Sequence, residues 1–387
     1  MSGAPPLSVA LDASPLAGSP TGVGVSCDQL LRALATRSDV AVSAFAVTRR
    51  AAAVKDQLPP GVAFRGLPIP TRAFHAAWRI LGVPSAEFVA GPVSVVHGTN
   101  FVVPPSRRAA TVVTINDATP WIYPQLCAPA SRAYPSLVRQ AVRRGAFVHT
   151  ASHFVAAELT GLISVRLESI RVIAYGPPPV ASGRAVAEGR AVAAGLDAGT
   201  SPTAVERPYI LAIGTIEPRK DYPRLVEAFA ELATTHAELR LVIAGAEGRG
   251  SQALDDAVRA ARCGDRIVRL GYVNDSLRSS LLDGAAALAY PSVYEGFGFP
   301  PLEAMAAGIP VVVTAGGAVP EVVGDGAVVV PVGDTAALAG ALGQVISDDQ
   351  LRLDLVARGH AQVSRYSWDA TAEAMVALYV DAAAARA

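Results

Sequence analysis

Apolar positions along the chain fall into two rhythms. Short apolar runs at 7–11, 40–47, 93–97, 111–115 and 146–150 read as strands, with helical patterns such as 27–34 and 130–144 between them. After Tyr175 the pattern stops. Residues 177–207 are rich in Pro, Ala and Gly, hold no strand-like run, and read as a connection with a short helix over 185–194. A second series follows, with strands expected at 209–213, 239–244, 267–270, 286–289, 311–314 and 327–330. Its helices are expected at 222–234, 251–261, 276–284, 335–347 and 349–363, and a last one at 369–385 closes the chain.

Strands that alternate with helices predict parallel, doubly wound sheets covered on both faces. The fold class is therefore α/β, with two Rossmann-like domains, an N-terminal one at 1–176 and a C-terminal one at 208–365. Residues 177–207 link them, and 366–387 form a helix expected to pack back toward the N-terminal domain. Two such sheets facing each other would leave a central cleft at the carboxyl ends of their strands, where open α/β sheets bind ligands. A length of 387 residues agrees with two cores rather than one.

Composition narrows the function classes. Hydrophobic residues make up 51% and charged residues 17%, and 33 basic residues balance 33 acidic ones. No global field draws the chain to DNA or RNA, so a nucleic-acid partner is not expected. Cys27, Cys127 and Cys263 are odd in number and far apart, which fits a reducing compartment and neither a zinc site nor a disulfide framework. The N-terminus lacks a secretory pattern, and no run reaches the ~18 apolar residues a spanning helix needs. The expectation is a cytoplasmic protein, soluble or peripheral to the inner face of the cell membrane.

The chemistry concentrates in EGFGFPPLEAMAAGIPVVV, residues 295–313. Pro300 and Pro301 suit the first turn of a helix, Gly308 its end, and Pro310 forbids continuation. Gly296 and Gly298 let the backbone turn tightly and offer amides to an anion at a helix N-terminus. Glu303 is expected in the first helical turn, and Glu295 in the loop beside Tyr294 and two aromatics that read as exposed, Phe297 and Phe299. Carboxylates repel phosphate but accept hydrogen bonds from vicinal hydroxyls, so amides and carboxylates together ask for a ligand with sugars on both sides of its phosphates. That describes a nucleotide sugar.

The spacing from Glu295 to Glu303 resembles the Glu-x7-Glu signature of family-4 retaining glycosyltransferases (glycosyl transferases group 1), which have the two-domain GT-B fold. PYILAIGTIEPRKDYPRLVEAFAEL (208–232), LVIAG (241–245), IVRLGYV (267–273), VPEVVGDGAVVVP (319–331) and RYSWDATAEAMVALY (365–379) are similar to that family in the same order. The resemblance covers nearly all of the C-terminal half and is weaker in the N-terminal half. It implies that Arg219 and Lys220, after Gly214, hold the donor diphosphate, and that Glu303 takes the ribose hydroxyls. Glu295 with the amides of Gly296, Phe297 and Gly298 would bind the transferred sugar, and Tyr272 and Val273 would lie against the base. Gly22 and Gly24, in AGSPTGVGVSCDQLL, resemble the family's first glycine-rich loop, which closes on the donor phosphates. In TVVTINDATPWIYPQ, Asn116 stands where the family places a histidine near the reaction centre; an amide can bind a hydroxyl but cannot carry a proton.

The implied reaction is a metal-independent, retaining transfer of a hexose, mannose by analogy with similar members, from a GDP- or UDP-linked donor. No cofactor beyond that co-substrate is expected. The acceptor would be a glycan or lipid-linked sugar used in cell-surface polysaccharide or glycolipid synthesis. Between Ala130 and Arg144, four arginines (Arg132, Arg139, Arg143, Arg144) alternate with Leu137, Val138 and Val142, a basic amphipathic pattern suited to peripheral contact with anionic lipid. His97 and His153 are lone histidines, expected to be structural. Two rival readings stand beside this one. Asn116 suggests a catalytically impaired relative that binds nucleotide sugar as a scaffold or regulator. A nicotinamide dehydrogenase is disfavoured because no GxGxxG follows the first strand.

Overall fold

A computed structural model describes residues 5–18, 21–163, 165–178 and 208–386. The chain divides into two compact units, Met1–Gly176 with Tyr366–Ala387, and Pro177–Arg365. The connection expected over 177–207, with its helix at 185–194, lies outside the described residues apart from Pro177 and Pro178.

The first unit is built on a seven-stranded sheet: β1 (Leu7–Asp12), β2 (Val40–Val47), β3 (Ala63–Leu67), β4 (Val95–Gly98), β5 (Ala110–Thr114), β6 (Phe147–Thr150) and β7 (Ile170–Val172). All neighbours pair in parallel, in the order β3-β2-β1-β4-β5-β6-β7, with Val9 opposite Val42 on one side and Val95 on the other. The five central strands match the apolar runs to within two residues at each end. β3 and β7 were not expected, for a physical reason. Both are edge strands; β3 (AFRGL) has no fully buried residue and β7 is three residues long, so neither needs an apolar run.

Helices cover both faces of this sheet. Leu30, Leu31 and Leu34 of helix Gly22–Ala35 share one core with Met375, Leu378 and Tyr379 of the last helix, Trp368–Arg386. Phe74, Trp78, Leu137, Val138, Val155 and Leu159 fill the other. The last helix is tied to the unit by polar contacts as well: Thr371 Oγ1 donates to Ala174 O at 2.8 Å, and Tyr379 Oη lies 2.8 Å from His97 Nδ1. His97 is fully buried and also meets Thr114 Oγ1 at 2.7 Å, so it is a core histidine as expected.

The second unit has a six-stranded parallel sheet of β8 (Tyr209–Ile213), β9 (Arg240–Ala244), β10 (Ile267–Gly271), β11 (Ala287–Tyr290), β12 (Val311–Thr314) and β13 (Ala327–Val330), in the order β10-β9-β8-β11-β12-β13. Helices Tyr222–Leu232 and Thr335–Ser347 bury Leu225, Phe229, Leu338 and Leu342 against one face. In both sheets the order reverses at the first strand: β1 lies between β2 and β4, and β8 between β9 and β11. The carboxyl ends of β1/β4 and of β8/β11 are therefore topological switch points, where connections leave in opposite directions and open a crevice.

Candidate functional site

The residues expected to bind a donor in the C-terminal half all follow carboxyl ends of β8, β10 and β11. β8 runs into Gly214 and then a 3-10 turn, Pro218–Lys220, ended by Asp221 in the left-handed region (φ 47°). β11 leads through Ser292 to Glu295, and helix Phe299–Ala306 starts behind Gly298, whose φ of 116° suits glycine. The two loops meet at the switch point, where Val293 N donates to Arg219 O at 2.8 Å.

There Glu295, 8% exposed, lies between two cations. Its Oε2 is 2.5 Å from Arg219 Nη1 and its Oε1 accepts from Lys220 Nζ at 2.6 Å. Lys220 Nζ also donates to Tyr290 Oη at 2.7 Å, and Arg219 Nη1 to Tyr294 O at 3.3 Å. Burial alone would raise the Glu295 carboxyl, but Arg219 and Lys220 outweigh it and hold the group well below the usual carboxylate range. Burial brings the Lys220 ammonium down to about 8, with Glu295 opposing the shift and Arg219 adding to it. Two cations around one carboxylate leave a surplus positive charge at the mouth of the β8 and β11 loops. The absence of a side chain at Gly214 makes room for this arrangement, since a Cβ there would sit 3.2 Å from both Lys220 Cε and Tyr222 Oη.

A second ion pair lies beside the first. Arg278, on helix Asp275–Gly284, grips Glu303 with Nε at 2.6 and 2.7 Å from the two carboxylate oxygens, and its Nη2 also contacts Oε2. Glu303 is 4% exposed; burial raises its carboxyl and Arg278 opposes the rise. The positive charge of Arg278 also acts on Lys220 and Tyr222, which puts the two pairs in one electrostatic cluster. Tyr272 and Val273 precede that helix, whose Asn274 caps it by accepting from Leu277 N at 2.9 Å. Tyr272 is 53% exposed, so it is no core aromatic.

Three details differ from the sequence reading. Glu303 is in the second turn of its helix, because the helix starts at Phe299 and Pro301 takes its third position. Its carboxylate is engaged by Arg278, a residue without a motif of its own; only its place after the Tyr272–Val273 loop could have drawn notice. Tyr294 and Phe297 are buried, and Phe297 meets Phe299 edge-on at 5.3 Å, so the aromatics hold the loop in place from below. The sequence reading also passed over Gly316 and Gly317. A Cβ on Gly316 would lie 2.0 Å from Ser292 O, and one on Gly317 (φ 67°) 2.3 Å from Glu295 O, so two bare backbones press against the loop that carries Glu295. Ala318 N donates to Glu295 O at 2.8 Å and completes the support.

The remaining expected residues belong to the first unit. Gly22 and Gly24 are in the first turn of helix Gly22–Ala35 rather than in a loop, because Thr21 caps that helix by accepting from Gly24 N at 3.3 Å. Asn116 follows β5 and is half-buried. Its Oδ1 accepts from Tyr175 Oη at 3.2 Å, and its Nδ2 faces Asn100 Oδ1 at 3.3 Å and Thr99 O at 3.4 Å. Its amide is thus oriented by neighbours from two segments, 99–100 and Tyr175. The arginine-bearing stretch 130–144 forms a 3-10 turn, Ser131–Ala133, and helix Tyr134–Arg143. The apolar side of that helix (Leu137, Val138, Ala141) is spent on the unit's own core, which leaves only its basic side outward. His153 opens helix His153–Leu162 as an exposed residue.

The family model described as "Glycosyl transferases group 1" matches residues 199–362. The O-antigen chain mannosyltransferase B of Escherichia coli is 36% identical over 162 residues, which is 42% of this chain and 42% of that protein. The chain spans about half the length of the first curated relatives it matches. Among solved structures, sucrose-phosphate synthase from Thermosynechococcus elongatus superposes with a TM-score of 0.75 at 20% identity, over 98% of this chain and 100% of that one. Anabaena Alr3699/HepE in complex with UDP and glucose gives 0.73 at 16% identity, over 97% and 100%. These likenesses agree with two parallel-sheet, Rossmann-like units as the GT-B architecture. Residues 199–362 thus match the glycosyl transferases group 1, and the fold of the chain is GT-B.

Proposed function

We propose that the protein is a retaining glycosyltransferase that moves a hexose from a nucleoside-diphosphate sugar to a glycan or lipid-linked acceptor. The observation that supports this most is the buried Glu295 between Arg219 and Lys220 at a switch point, with Glu303 paired beside it. A surplus of fixed positive charge and loop amides suits a diphosphate. Carboxylates held in place by ion pairs suit sugar hydroxyls. Arg219 and Lys220 take the diphosphate in this reading, Glu295 and the amides of Gly296, Phe297 and Gly298 take the transferred sugar, and Glu303 takes the ribose. Gly22 and Gly24, at the start of the helix after β1, are assigned to the phosphates as well. Tyr272 offers an exposed ring to the base.

Transfer would break the bond between the sugar C1 and the phosphate oxygen and form one from C1 to the acceptor oxygen on the same face. The acceptor hydroxyl's proton passes to the departing diphosphate. No side chain then needs to act as a base, and the protein contributes positioning and charge stabilisation. Charge neutralisation is assigned to Arg219 and Lys220, so turnover should persist in EDTA. The E. coli relative's name speaks for mannose and the Anabaena structure was solved with UDP and glucose, so GDP-mannose and UDP-glucose are the first donors to try.

Binding and hydrolysis of UDP-, GDP- and ADP-sugars test the proposal: at least one should bind, and Glu303→Ala should weaken it by roughly 1.5–3 kcal/mol. Absence of binding by all of them would sink it. A second reading, a binding protein with impaired turnover, is favoured by Asn116, whose amide cannot carry a proton. Donor binding without transfer to any acceptor, and gain of transfer in Asn116→His, would support that reading instead.

A further inference from the structure

Charge is unevenly distributed in this neutral chain. Between residues 57 and 157 there are nine arginines and no lysine, against two carboxylates, Glu87 and Asp117. Both carboxylates are occupied locally. Glu87 Oε1 accepts from Ser106 Oγ at 2.8 Å and from the amides of Arg107 and Arg108 at 3.1 and 2.9 Å, and Asp117 accepts from Thr119 N at 2.8 Å. Among the described residues, none of Arg79, Arg139, Arg143 and Arg144 has an ion-pair partner, and all four are exposed.

Arg79 and Arg144 adjoin an apolar projection, and Arg139 and Arg143 lie on the helix packed beside it. Helices Thr71–Ile80 and Tyr134–Arg143 pack side by side, with Gln140 Nε2 donating to Arg79 O at 2.9 Å and His75 meeting Tyr134 edge-on. The chain leaves the first helix through Ile80, Leu81, Gly82 and Val83 and enters helix Ala86–Ala90, which carries Phe88. Ile80 is 71% exposed, Leu81 70% and Phe88 58%. The projection is held rather than loose: Leu81 N donates to Ala77 O at 2.8 Å, Gly82 turns at φ 67°, and Trp78 Nε1 donates to Pro84 O at 2.9 Å. Arg144 lies directly over the turn, its Nη2 3.2 Å from where a Cβ of Gly82 would be.

Large side chains raised into solvent cost free energy unless something covers them, and monomeric proteins seldom keep several together. A rim of unpaired arginines selects an anionic cover, and apolar tips select one with a hydrocarbon layer beneath its charge. A nucleic acid would meet the arginines and leave Ile80, Leu81 and Phe88 wet; a second copy of this surface would bring like charges together. We infer that residues 79–88, with the arginines of the adjoining helix, form a docking surface for an anionic lipid bilayer. The apolar tips enter the interface, and Arg79, Arg139, Arg143 and Arg144 meet the head groups. This differs from the sequence expectation, in which helix 130–144 would itself lie in the interface: its apolar side is committed to the core, so it supplies charge only. The inference is independent of the donor reading.

Co-sedimentation of the full chain tests it, with vesicles of phosphatidylcholine alone and of phosphatidylcholine mixed with phosphatidylglycerol. Binding should appear with the anionic vesicles and fall with salt. Neutralising Arg139, Arg143 and Arg144 to Gln should weaken it about a hundredfold, at the usual contribution of a basic residue near a charged membrane. Leu81→Glu with Phe88→Glu should weaken it by at least a similar factor. All five side chains are exposed, so thermal unfolding of these variants should match the unsubstituted protein, which separates lost docking from lost fold. Leu81→Trp adds a direct readout, a blue shift of its emission on anionic vesicles only. No binding to either vesicle, equal binding to both, or unchanged binding in the Leu81/Phe88 variant would overturn the inference. So would tight binding to duplex DNA in place of vesicles, or a dimer in sedimentation velocity that Leu81→Glu dissolves while vesicle binding is absent.

Discussion

Removal of Arg278 gives the sharpest test of how the cluster is built. Arg278→Met keeps much of the side-chain volume and leaves Glu303, 4% exposed, as a carboxylate without its cation. Breaking a buried pair on one side costs about 3–5 kcal/mol, because the remaining charge is uncompensated. Glu303 can escape part of this cost by taking up a proton, and that makes the effect depend on pH. Burial already holds its carboxyl above the ordinary value while Arg278 opposes the rise. A carboxyl raised in the folded state binds its proton more readily there than in the unfolded chain. The penalty is therefore absent below the unfolded pKa and develops as pH rises through the folded one. Without Arg278 the folded value moves further up. Urea unfolding should find the variant close to the unsubstituted protein near pH 5 and about 3–5 kcal/mol less stable near pH 8. Adding Glu303→Gln should recover most of the loss at the higher pH, since it removes the stranded charge. A deficit that is the same at both pH values, or a double variant no more stable than Arg278→Met, would refute the reasoning. Either result would mean that Arg278 acts through packing rather than charge.

Three further outcomes follow from the same geometry. Lys220, lowered to about 8, loses its positive charge as pH rises through that value, so calorimetric affinity for a nucleoside diphosphate should be flat below it and weaken above; in Lys220→Met the inflection should vanish. Tyr272→Ala should leave stability within about 0.5 kcal/mol because the ring is exposed, yet weaken nucleotide binding by roughly 1–3 kcal/mol if the base stacks on it; unchanged affinity would remove Tyr272 from the site. Gly317→Ala puts a Cβ against Glu295 O and a side chain at positive φ, so kcat/KM for transfer should drop roughly a hundredfold through displacement of Glu295. Full activity in that variant would show that the 292–298 loop tolerates movement.

The sequence by itself determined the two α/β series and most of their boundaries, because buried central strands require apolar runs and their helices require one apolar face. It also pointed to the Glu295–Glu303 loop, since Gly298, Pro300, Pro301 and Gly308 are local signals that need no partner to be read. It could not mark β3 or β7, whose edge positions demand little hydrophobicity. Tertiary structure alone decided which charges meet. Arg219 and Lys220 are about 75 residues before Glu295, and Arg278 is 25 before Glu303. No periodicity relates such distant positions; the strand order β9-β8-β11 brings the first set together at the reversal of the sheet. The same holds for the glycines at 316 and 317, whose value lies in the backbone they let approach. It holds too for helix Tyr134–Arg143, an amphipathic pattern in which only the fold could say that the apolar side faces a protein core and the basic side faces outward.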